Sequence, residues 1–542
     1  MKTAHAFRRV HPQGESRNPP SPGSPPPIPV DTYGGRIHVE WDPQAAVTPL
    51  GQLPFFIEFL KTADLFTPWV RECPLTYQSP NAPQPGDVLG TILLSVLSGH
   101  HRYAHSTTIR ADGVNPALLG MSKVCSEDSV RRAWRALTEP ASIQWLQTHL
   151  LRCDEPLLTE PWILDGDVTV KSLYGQQEGA EGGYNPHKPG RPSHTYHTYF
   201  IGNLRLALDV EVRPGKQHAA AHTRPGLWQF LKRLPPSAWP TFLRGDCAFG
   251  TDHLMREAEA HGLPDLFKLK QTKRGKGLIE TLFAEPVWER AGQGWDGVAT
   301  TLQLQGWAQA RRGVVLRRRV EGSLLLRDPK HATGQQVCDF VAALAPRRVY
   351  AYIVLVPTLP DDLVALAQHY RDRADMENVF DELKNQWGWG GYTTKDLKRC
   401  QLMARQIALI DNWWSLFGRL AIPRRHAEAS TSRPLLLTAV GKQTRHQGQT
   451  KLMLTSAHAK TGSIHRALRG LPRFFKECRV TAEQLGWAAR WRKMLSRIFV
   501  AFRRGRPLRP PPPLPHPTYE HVSVRLWLRR NHILTAVFRI TM

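Results

Sequence analysis

Hydrophobic residues in the first third of the chain recur with the spacing of amphipathic helices. The clearest stripes are Phe55, Phe56, Phe59 and Leu60, followed by Ile92, Leu93, Val96 and Leu97. Residues three and four positions apart lie on one face of a helix, so these stripes predict helices that are buried on one side. We therefore expect a helical N-terminal region over residues 35–158.

Two short segments of this region have the pattern of a helix-turn-helix. Residues 117–120 end in Leu-Gly, and Ser126 is a favourable N-cap for a second helix that runs to residue 137. Arg131, Arg132 and Arg135 lie opposite the apolar stripe of that helix. The pattern is typical of a DNA-binding helix and equally of a solvent-exposed helix face, so both interpretations stay open.

From residue 160 the apolar runs become shorter, as is typical of strands. Trp162-Ile163-Leu164 begins a predicted strand, and residues 196–201 and 204–212 predict a hairpin around Gly202-Asn203. Strands and helices then alternate as far as residue 269. This order predicts an α/β domain.

The same pattern sets the expected domain boundaries. The α/β domain covers residues 159–420, with a β-strand-rich insertion at about 275–357 before a long helix that begins near Pro360. A helical C-terminal region follows over residues 421–502. Because proline cannot donate backbone hydrogen bonds, we expect residues 1–34 to form a disordered arm and residues 503–542 a Pro/Arg-rich tail of uncertain structure.

Composition and charge narrow the class of partner. The 542 residues include 72 Lys and Arg against 46 Asp and Glu, which gives a net charge of +26. Such an excess favours nucleic acid as the partner. The seven cysteines form no C-x-x-C pair, which argues against a disulfide framework or a thiolate zinc site. No apolar run approaches the roughly 20 residues of a membrane span, so we expect a cytoplasmic protein.

The segment of residues 370–384 has the most informative chemistry. In a continuous helix at 100° per residue, Tyr370, Arg373, Glu377 and Lys384 project within about 60° of one another. A face with a carboxylate, a phenol and two cations is unsuited to burial. It is either a solvent-exposed face with charge pairs, or a site where the carboxylate binds a metal and the cations bind phosphates.

Further carboxylates occur at predicted strands. Asp165 and Asp167 alternate onto one face of a strand, where aspartate is unusual. Asp246 follows another strand and precedes a helix, so it is either a ligand at the carboxyl edge of the sheet or a turn and capping residue. Two Asp residues and Glu377 would make an all-oxygen site of the kind that Mg²⁺ prefers.

The spacing Tyr-x2-Arg-x3-Glu-x6-Lys over residues 370–384 resembles the signature of bacterial insertion-sequence DDE transposases of group four. The whole region from about residue 35 to about 500 is similar to the branch of that group numbered thirteen-eighty. Further matching segments are Tyr174 to Ala180, Gly183 to Lys188, Arg244-Gly245-Asp246, Trp387-Gly388-Trp389 and Asn412-Trp413-Trp414. Gly166 departs from the bulky residue that is usual in the family at this position.

The resemblance implies a ribonuclease H-like catalytic core with a β-rich insertion, preceded by a helical DNA-binding domain. It implies the catalytic and metal-binding triad Asp167, Asp246 and Glu377, with Asp165 as the rival for the first position. Two Mg²⁺ ions are implied as the cofactor, with Mn²⁺ able to substitute. Such ions can activate a water or a 3′-hydroxyl and stabilise the leaving oxygen at phosphorus.

The resemblance also implies residues that contact DNA. Tyr370, Arg373 and Lys384 are expected to contact phosphates of the transferred end. Lys188 and Arg191 are expected to be further DNA contacts, with an ordinary solvated loop as the alternative.

The leading hypothesis is a transposase that binds terminal inverted repeats and moves its element by cut-and-paste strand cleavage and transfer. The expected partner is double-stranded DNA, at element ends and at the target, with a dimer assembled on DNA and a nucleoid-associated location in bacteria. A ribonuclease H-like nuclease without strand transfer, and a non-catalytic DNA-binding descendant, are the alternatives.

Overall fold

The strands and helices come from a computed structural model. It describes residues 26–508 except 43, 78, 80, 186–187, 217–218, 271–272, 284–286, 321–348, 424–425, 483–485, 501–502 and 505. The strands are β1 Ile28–Thr32, β2 Gly35–Val39, β3 Val47–Thr48, β4 Ile163–Ser172, β5 Glu181–Gly182, β6 Pro192–Ile201, β7 Leu206–Pro214, β8 Phe242–Gly245, β9 Asp265–Lys268, β10 Glu289–Gly292, β11 Trp295–Leu302, β12 Arg311–Val320, β13 Val349–Pro357, β14 Gly441–His446 and β15 Gln449–Leu454.

Helices dominate both ends of the described chain. The α-helices are α1 Leu53–Thr62, α2 Phe66–Arg71, α3 Pro85–Leu97, α4 Asn115–Leu118, α5 Glu127–Ala136, α6 Glu139–Asp154, α7 Ala219–Leu231, α8 Asp252–Ala260, α9 Lys273–Phe283, α10 Leu363–Asp372, α11 Asp375–Asn385, α12 Leu397–Ala421, α13 Ala429–Leu436, α14 Thr461–Arg469, α15 Leu471–Ala482 and α16 Trp487–Ile498. Short 3₁₀ helices cover Tyr103–Ala111, Glu155–Leu157 and Pro236–Ala238.

One large mixed sheet runs through the middle of the chain. Its strand order is β10-β11-β12-β13-β9-β8-β4-β6-β5, and β7 also pairs with β6. Strand β4 is antiparallel to β6 and parallel to β8, and β8 is parallel to β9. The antiparallel strands β10 to β13 extend the sheet beyond β9. The predicted α/β class is therefore confirmed, as one large mixed sheet accompanied by helices.

Helix α12 joins this sheet to the helices at both ends of the chain. The amide side chain of Asn412 accepts a hydrogen bond from the backbone N–H of Ala207 on β7 (2.9 Å) and donates one to the Ala207 carbonyl (2.8 Å). On α1, the ring of Phe56 lies 5.3 Å from Trp414 of α12, and Phe59 lies 6.1 Å from Trp491 of α16. Helices from both ends therefore share one core, which large aromatic side chains stabilise by burying apolar surface.

The described elements differ from the expected boundaries at several places. The disordered arm was expected to reach residue 34, but β1 and β2 form an antiparallel pair. An ion pair between Asp31 and Arg36 (2.7 Å) crosses this pair of strands. Strands were expected from about residue 275, but residues 273–283 are helical and the first strand of this part begins at Glu289. The C-terminal region is not wholly helical, since β14 pairs with β15 and also with β3 near the N-terminus.

The helix-turn-helix interpretation receives little support from the described fold. Ser126 caps α5 as predicted, because its hydroxyl accepts a hydrogen bond from the backbone N–H of Ser129. The preceding helix α4 has only four residues, however, and its Asn115 is buried in a network with Thr48 and Asp112. Arg131 of α5 pairs with Glu127 at 2.6 Å. These contacts favour a structural role for this pair of helices.

Asp265, which is fully buried at the start of β9, makes folding stability depend on pH. Burial raises the pKa of Asp265 to about 8, and the neighbouring Thr358 side chain partly opposes this rise. A carboxyl group whose pKa is higher in the folded state stabilises the fold below its unfolded pKa, and this contribution is lost as the pH rises through the folded value.

We therefore expect Asp265→Asn to flatten the stability profile between about pH 4 and pH 8. At pH 9 the variant should be more stable than the parent by on the order of a few kcal/mol, because the parent must bury an ionised carboxylate. Urea unfolding at several pH values measures this difference. Parallel pH profiles of parent and variant would contradict it.

Candidate active site

Asp167 and Asp246 lie at matching positions of two neighbouring parallel strands. In the β4–β8 register, Asp165 is opposite Arg244 and Gly166 is opposite Gly245. Asp167 directly follows Gly166 within β4, and Asp246 directly follows Gly245 at the end of β8. Asp167 is 8% exposed and Asp246 is half-buried. The fold therefore brings together two of the three predicted carboxylates at the carboxyl end of β8, where α/β sheets usually bind ligands.

Asp165, the alternative candidate for the first catalytic carboxylate, is already paired with an arginine in the core. Its two carboxylate oxygens accept hydrogen bonds from Nε and Nη2 of Arg244, both at 2.6 Å, and both side chains are fully buried. A bidentate pair of this kind satisfies the carboxylate within the protein. Asp167 is therefore the better candidate for the first metal ligand.

Gly166 is explained by the packing around it. A Cβ atom at this position would lie 2.9 Å from the ring of Phe249, which packs over the strand ends. Real Cβ atoms do not approach other heavy atoms so closely. Where the resemblance leads one to expect a bulky residue, the ring of Phe249 from the neighbouring segment fills the space instead.

Arg373 is the immediate partner of Asp167. Its Nη2 atom donates a hydrogen bond to Oδ2 of Asp167 at 2.6 Å, and each side chain is 11% exposed. Burial raises the pKa of Asp167 to about 7; Arg373 opposes this rise and the nearby Asp246 adds to it. Burial would lower the pKa of Arg373, but Asp167 and its neighbours hold it above the ordinary value. The arginine therefore balances the buried negative charge.

The predicted continuous helix over residues 370–384 is instead divided into α10 and α11 at Arg373 and Ala374. The backbone N–H of Arg373 donates to the carbonyl of Tyr370 (3.2 Å), a 3₁₀-type bond. In an α-helix its acceptor would be the carbonyl of His369, which here accepts a hydrogen bond from Nη1 of Arg244. The hydrogen bond from buried Arg244 thus links the His369 carbonyl of α10 to the sheet.

Tyr370 and Lys384, the phenolic and ammonium residues of the Tyr-x2-Arg-x3-Glu-x6-Lys spacing, lie near Asp167. Tyr370 is half-buried, and burial raises its pKa to about 12; Arg373 opposes this rise and Asp246 adds to it. Burial lowers the pKa of the Lys384 ammonium, while Asp381 and Asp167 oppose the change. Both side chains therefore lie within electrostatic range of the aspartates.

Glu377 is not brought to the aspartates. Its side chain is exposed in the first turn of α11 and has no hydrogen bond or ion pair to another described residue. Within the described ranges, no three His, Cys, Asp or Glu side chains lie close enough to hold a metal ion. The carboxylate types suit a hard divalent cation, but the third ligand is separate from the other two.

A network that the sequence did not reveal fixes the opposite face of α11. Arg205, in the β6–β7 turn, forms an ion pair with Asp375 at the start of the helix. Glu382 accepts hydrogen bonds from Nε2 of His426 (2.8 Å) and from the backbone N–H of Ala429 (2.9 Å). These contacts are separated by 44 to 170 positions along the chain, so no local sequence pattern could indicate them.

Lys188 and Arg191 meet on an aromatic ring. The Lys188 ammonium lies 4.9 Å and the Arg191 guanidinium 4.8 Å from the centroid of Tyr174, which is 67% exposed. Asn185 shapes the loop by accepting from the Lys188 backbone N–H (3.0 Å) and donating to Ser172 (3.0 Å). The loop therefore presents two cations at the surface.

Comparison with known proteins decides the family. A family model described as transposase DDE domain group 1 matches residues 82–475, well over half of the chain. The chain belongs to this family. This DDE transposase is therefore an enzyme that cleaves and transfers DNA, and such transposases generally use divalent metal ions.

One similar solved structure is the piggyBac transposase, from a cryo-EM structure of its synaptic complex with hairpin DNA. The two chains are 11% identical, with a TM-score of 0.36, over 83% of this transposase and 85% of that chain. None of the curated proteins matches this transposase. In the part of the transposase that the structure describes, no helix is long and apolar enough to cross a membrane.

Proposed function

We propose that this transposase binds the terminal inverted repeats of an insertion sequence and catalyses cut-and-paste transposition. The observation that carries the proposal is the placement of Asp167 on β4, beside Arg373, with Asp246 directly after the parallel neighbouring strand β8. Paired carboxylates with a neighbouring cation suit a metal-dependent reaction at a phosphate group. The group-four, thirteen-eighty assignment belongs to the same proposal and is supported by the motifs around these residues.

We propose that the core is ribonuclease H-like. The strand order β7-β6-β4-β8-β9 supports this, with β6 antiparallel and β8 parallel to the central β4. The first carboxylate is then on the central strand and the second follows its parallel neighbour. We further propose that the N-terminal helical region takes part in binding DNA.

Asp167, Asp246 and Glu377 would hold two Mg²⁺ ions, and Mn²⁺ could replace them. Bound metal would activate the attacking hydroxyl and stabilise the leaving oxygen during phosphoryl transfer. Glu377 would join the aspartates when DNA and metal are present. Its exposed position at the start of α11 leaves its carboxylate available for this.

The cations divide into two groups. Arg373 and Lys384 would hold phosphates of the transferred end beside the aspartates, with Tyr370 as a hydroxyl donor. Lys188 and Arg191 would contact the DNA backbone at the Tyr174 loop. Two DNA ends must be brought together for transposition, so we propose a dimer on DNA, acting on the bacterial nucleoid.

Purified transposase should nick duplex DNA that carries an element end when Mg²⁺ is present, and join the freed 3′-hydroxyl to a second duplex. Flanking inverted repeats of the gene supply the end sequence, and a scrambled duplex serves as the control. Cleavage without a joined product would favour the nuclease alternative. Stable DNA binding with no cleavage in either Mg²⁺ or Mn²⁺ would favour the non-catalytic alternative.

Arg373→Lys should separate the structural role of this residue from its phosphate role. Lysine keeps a cation beside Asp167, so the thermal midpoint should change little, whereas the two-point grip on phosphate is lost. We expect single-turnover cleavage to fall by roughly 10–100-fold, as for an outer partner of a metal site. Unchanged cleavage would contradict a phosphate contact at this position.

A further inference from the structure

The C-terminal part of the transposase contains a long stretch without acidic residues. Residues 429–476 include nine Lys and Arg and no Asp or Glu. The nine are Arg433, Lys442, Arg445, Lys451, Lys460, Arg466, Arg469, Arg473 and Lys476. The active-site residues are elsewhere in the sequence, so this concentration of positive charge needs a separate explanation.

Strands β14 and β15 form a two-stranded ribbon in the middle of this stretch. They pair from Gly441 opposite Leu454 to His446 opposite Gln449. Gln447 and Gly448, between the strands, have φ angles of 48° and 74°. Positive φ at both central residues is typical of a tight type I′ hairpin turn, whose twist matches that of the strands. The tip of the ribbon is therefore well defined and carries no negative charge.

The two faces of the ribbon differ. Directly opposed residues of an antiparallel pair share a face. One face contains Lys442, Thr444, His446, Gln449, Lys451 and Met453. Five of these six side chains are exposed, with Thr444 half-buried. Within the described part of the chain, no carboxylate forms an ion pair with Lys442 or Lys451.

The other face and one edge fasten the ribbon to the body. Leu454 lies against Gly51, close enough that a Cβ atom on that glycine would be 2.6 Å from its Cδ2 atom. The edge of β14 pairs with β3, with Lys442 opposite Val47. The cationic face is therefore held outward by contacts made on the opposite side.

Helix α14 adds cations beside the base of the ribbon. Ile464 and Leu468 bury its inner face, whereas Arg466 and Arg469 are exposed. A cleft lined by Val440 and Leu454 of the ribbon segment also contains Ile464 and Arg469. Helix α14 therefore adds two exposed cations close to the base of the ribbon.

We propose that the β14–β15 ribbon and α14 form a second binding surface for duplex DNA, with the ribbon entering a groove. Six residues per strand at about 3.3 Å each give a ribbon roughly 20 Å long, with its strands about 5 Å apart. The major groove, about 12 Å wide, admits such a ribbon. The cations would contact phosphates, while Thr444 and Gln449 can hydrogen-bond to base edges.

This proposal depends on the proposed function only because both take DNA as the substrate. A variant with Lys442→Ala, Lys451→Ala and Arg466→Ala tests it, with Lys61→Ala, Lys232→Ala and Arg256→Ala as the charge-matched control at exposed positions. Fluorescence anisotropy with a labelled duplex, in EDTA and between 50 and 200 mM salt, measures binding without cleavage. Thermal unfolding verifies that both variants are folded.

We expect the ribbon variant to bind duplex DNA at least about tenfold more weakly at low salt. The slope of log affinity against log salt should fall by roughly 2 to 3, since each lost phosphate contact removes about 0.9. The control should keep a slope close to that of the parent. Equal slopes for the two triple variants would overturn the proposal, as would an equal loss of affinity for single-stranded DNA.

The result of this binding experiment can be distinguished from a failure of the proposed function. If the parent cleaves and joins end DNA but the ribbon variant binds like the control, the ribbon surface is wrong and the proposed function stands. If the parent neither cleaves nor joins DNA while the ribbon variant loses its salt slope, the binding surface stands and the proposed function is wrong.

Discussion

Glu377→Gln is expected to reduce Mg²⁺-dependent cleavage of element-end DNA by at least about 10³-fold. Glutamine keeps the size of the side chain but removes the negative charge that would hold the metal. The loss should exceed the 10–100-fold that is usual for an outer partner of a metal ligand, because a direct ligand is removed. Single-turnover nicking with excess enzyme measures the chemical step without interference from product release.

Glu280→Gln is the matched control, since it makes the same change at an exposed position of α9. Its cleavage rate should equal that of the parent. DNA binding by Glu377→Gln in EDTA should also be unchanged, because the Glu377 side chain bonds to no other described residue. A Glu377→Gln variant that cleaves within tenfold of the parent would remove this residue from the triad.

Arg244→Met is expected to lower the free energy of unfolding by about 3–5 kcal/mol. The substitution leaves the carboxylate of Asp165, which is 1% exposed, without its bidentate partner. Breaking a buried ion pair on one side leaves an uncompensated charge, which is strongly destabilising. The carbonyl of His369 loses a donor at the same time. Urea unfolding at pH 7 measures the change.

The double variant Asp165→Leu and Arg244→Met should recover much of this stability, because a buried pair can often be replaced by apolar residues. Arg36→Met is the contrasting control: it breaks the exposed pair with Asp31, and exposed pairs contribute little. A single Arg244→Met variant as stable as the Arg36→Met variant would contradict the structural role of Arg244.

The sequence indicated much of the sheet because its signals are local. The alternation in β4, the hairpin around Asn203 and the strand before Asp246 were all predicted, and the observed register places Asp167 beside Asp246. The choice between Asp165 and Asp167 could not be made from spacing. It depends on Arg244, which is 79 positions from Asp165 in the chain.

The helix of the signature motif shows a second limit of local patterns. Residues 370–384 have good helical periodicity, and their backbone stays helical through Arg373, whose φ and ψ are −65° and −23°. The division into α10 and α11 follows from a long-range hydrogen bond to the carbonyl of His369. The sequence indicated the polar residues of this face, but neither the burial of Arg373 nor the separation of Glu377 from the aspartates.

The β14–β15 ribbon was missed because its apolar alternation is weak. Lys442, Thr444 and His446 on one strand give no buried face, and the contact that fixes β14 comes from Val47, near the other end of the chain. The absence of acidic residues around it was the available signal. The charge distribution along the chain is therefore a better guide to the proposed binding surface than hydrophobic patterning.

Iron-directed cleavage of the polypeptide tests the metal site most directly. Fe²⁺ replaces Mg²⁺ in the complex of the transposase with element-end DNA, and ascorbate with peroxide then generates hydroxyl radicals at the bound ion. We predict cuts near residues 167, 246 and 377 that excess Mg²⁺ suppresses and that Asp246→Asn abolishes. Cuts confined to other regions, or cuts that persist in Asp246→Asn, would contradict a metal centre built from these three carboxylates.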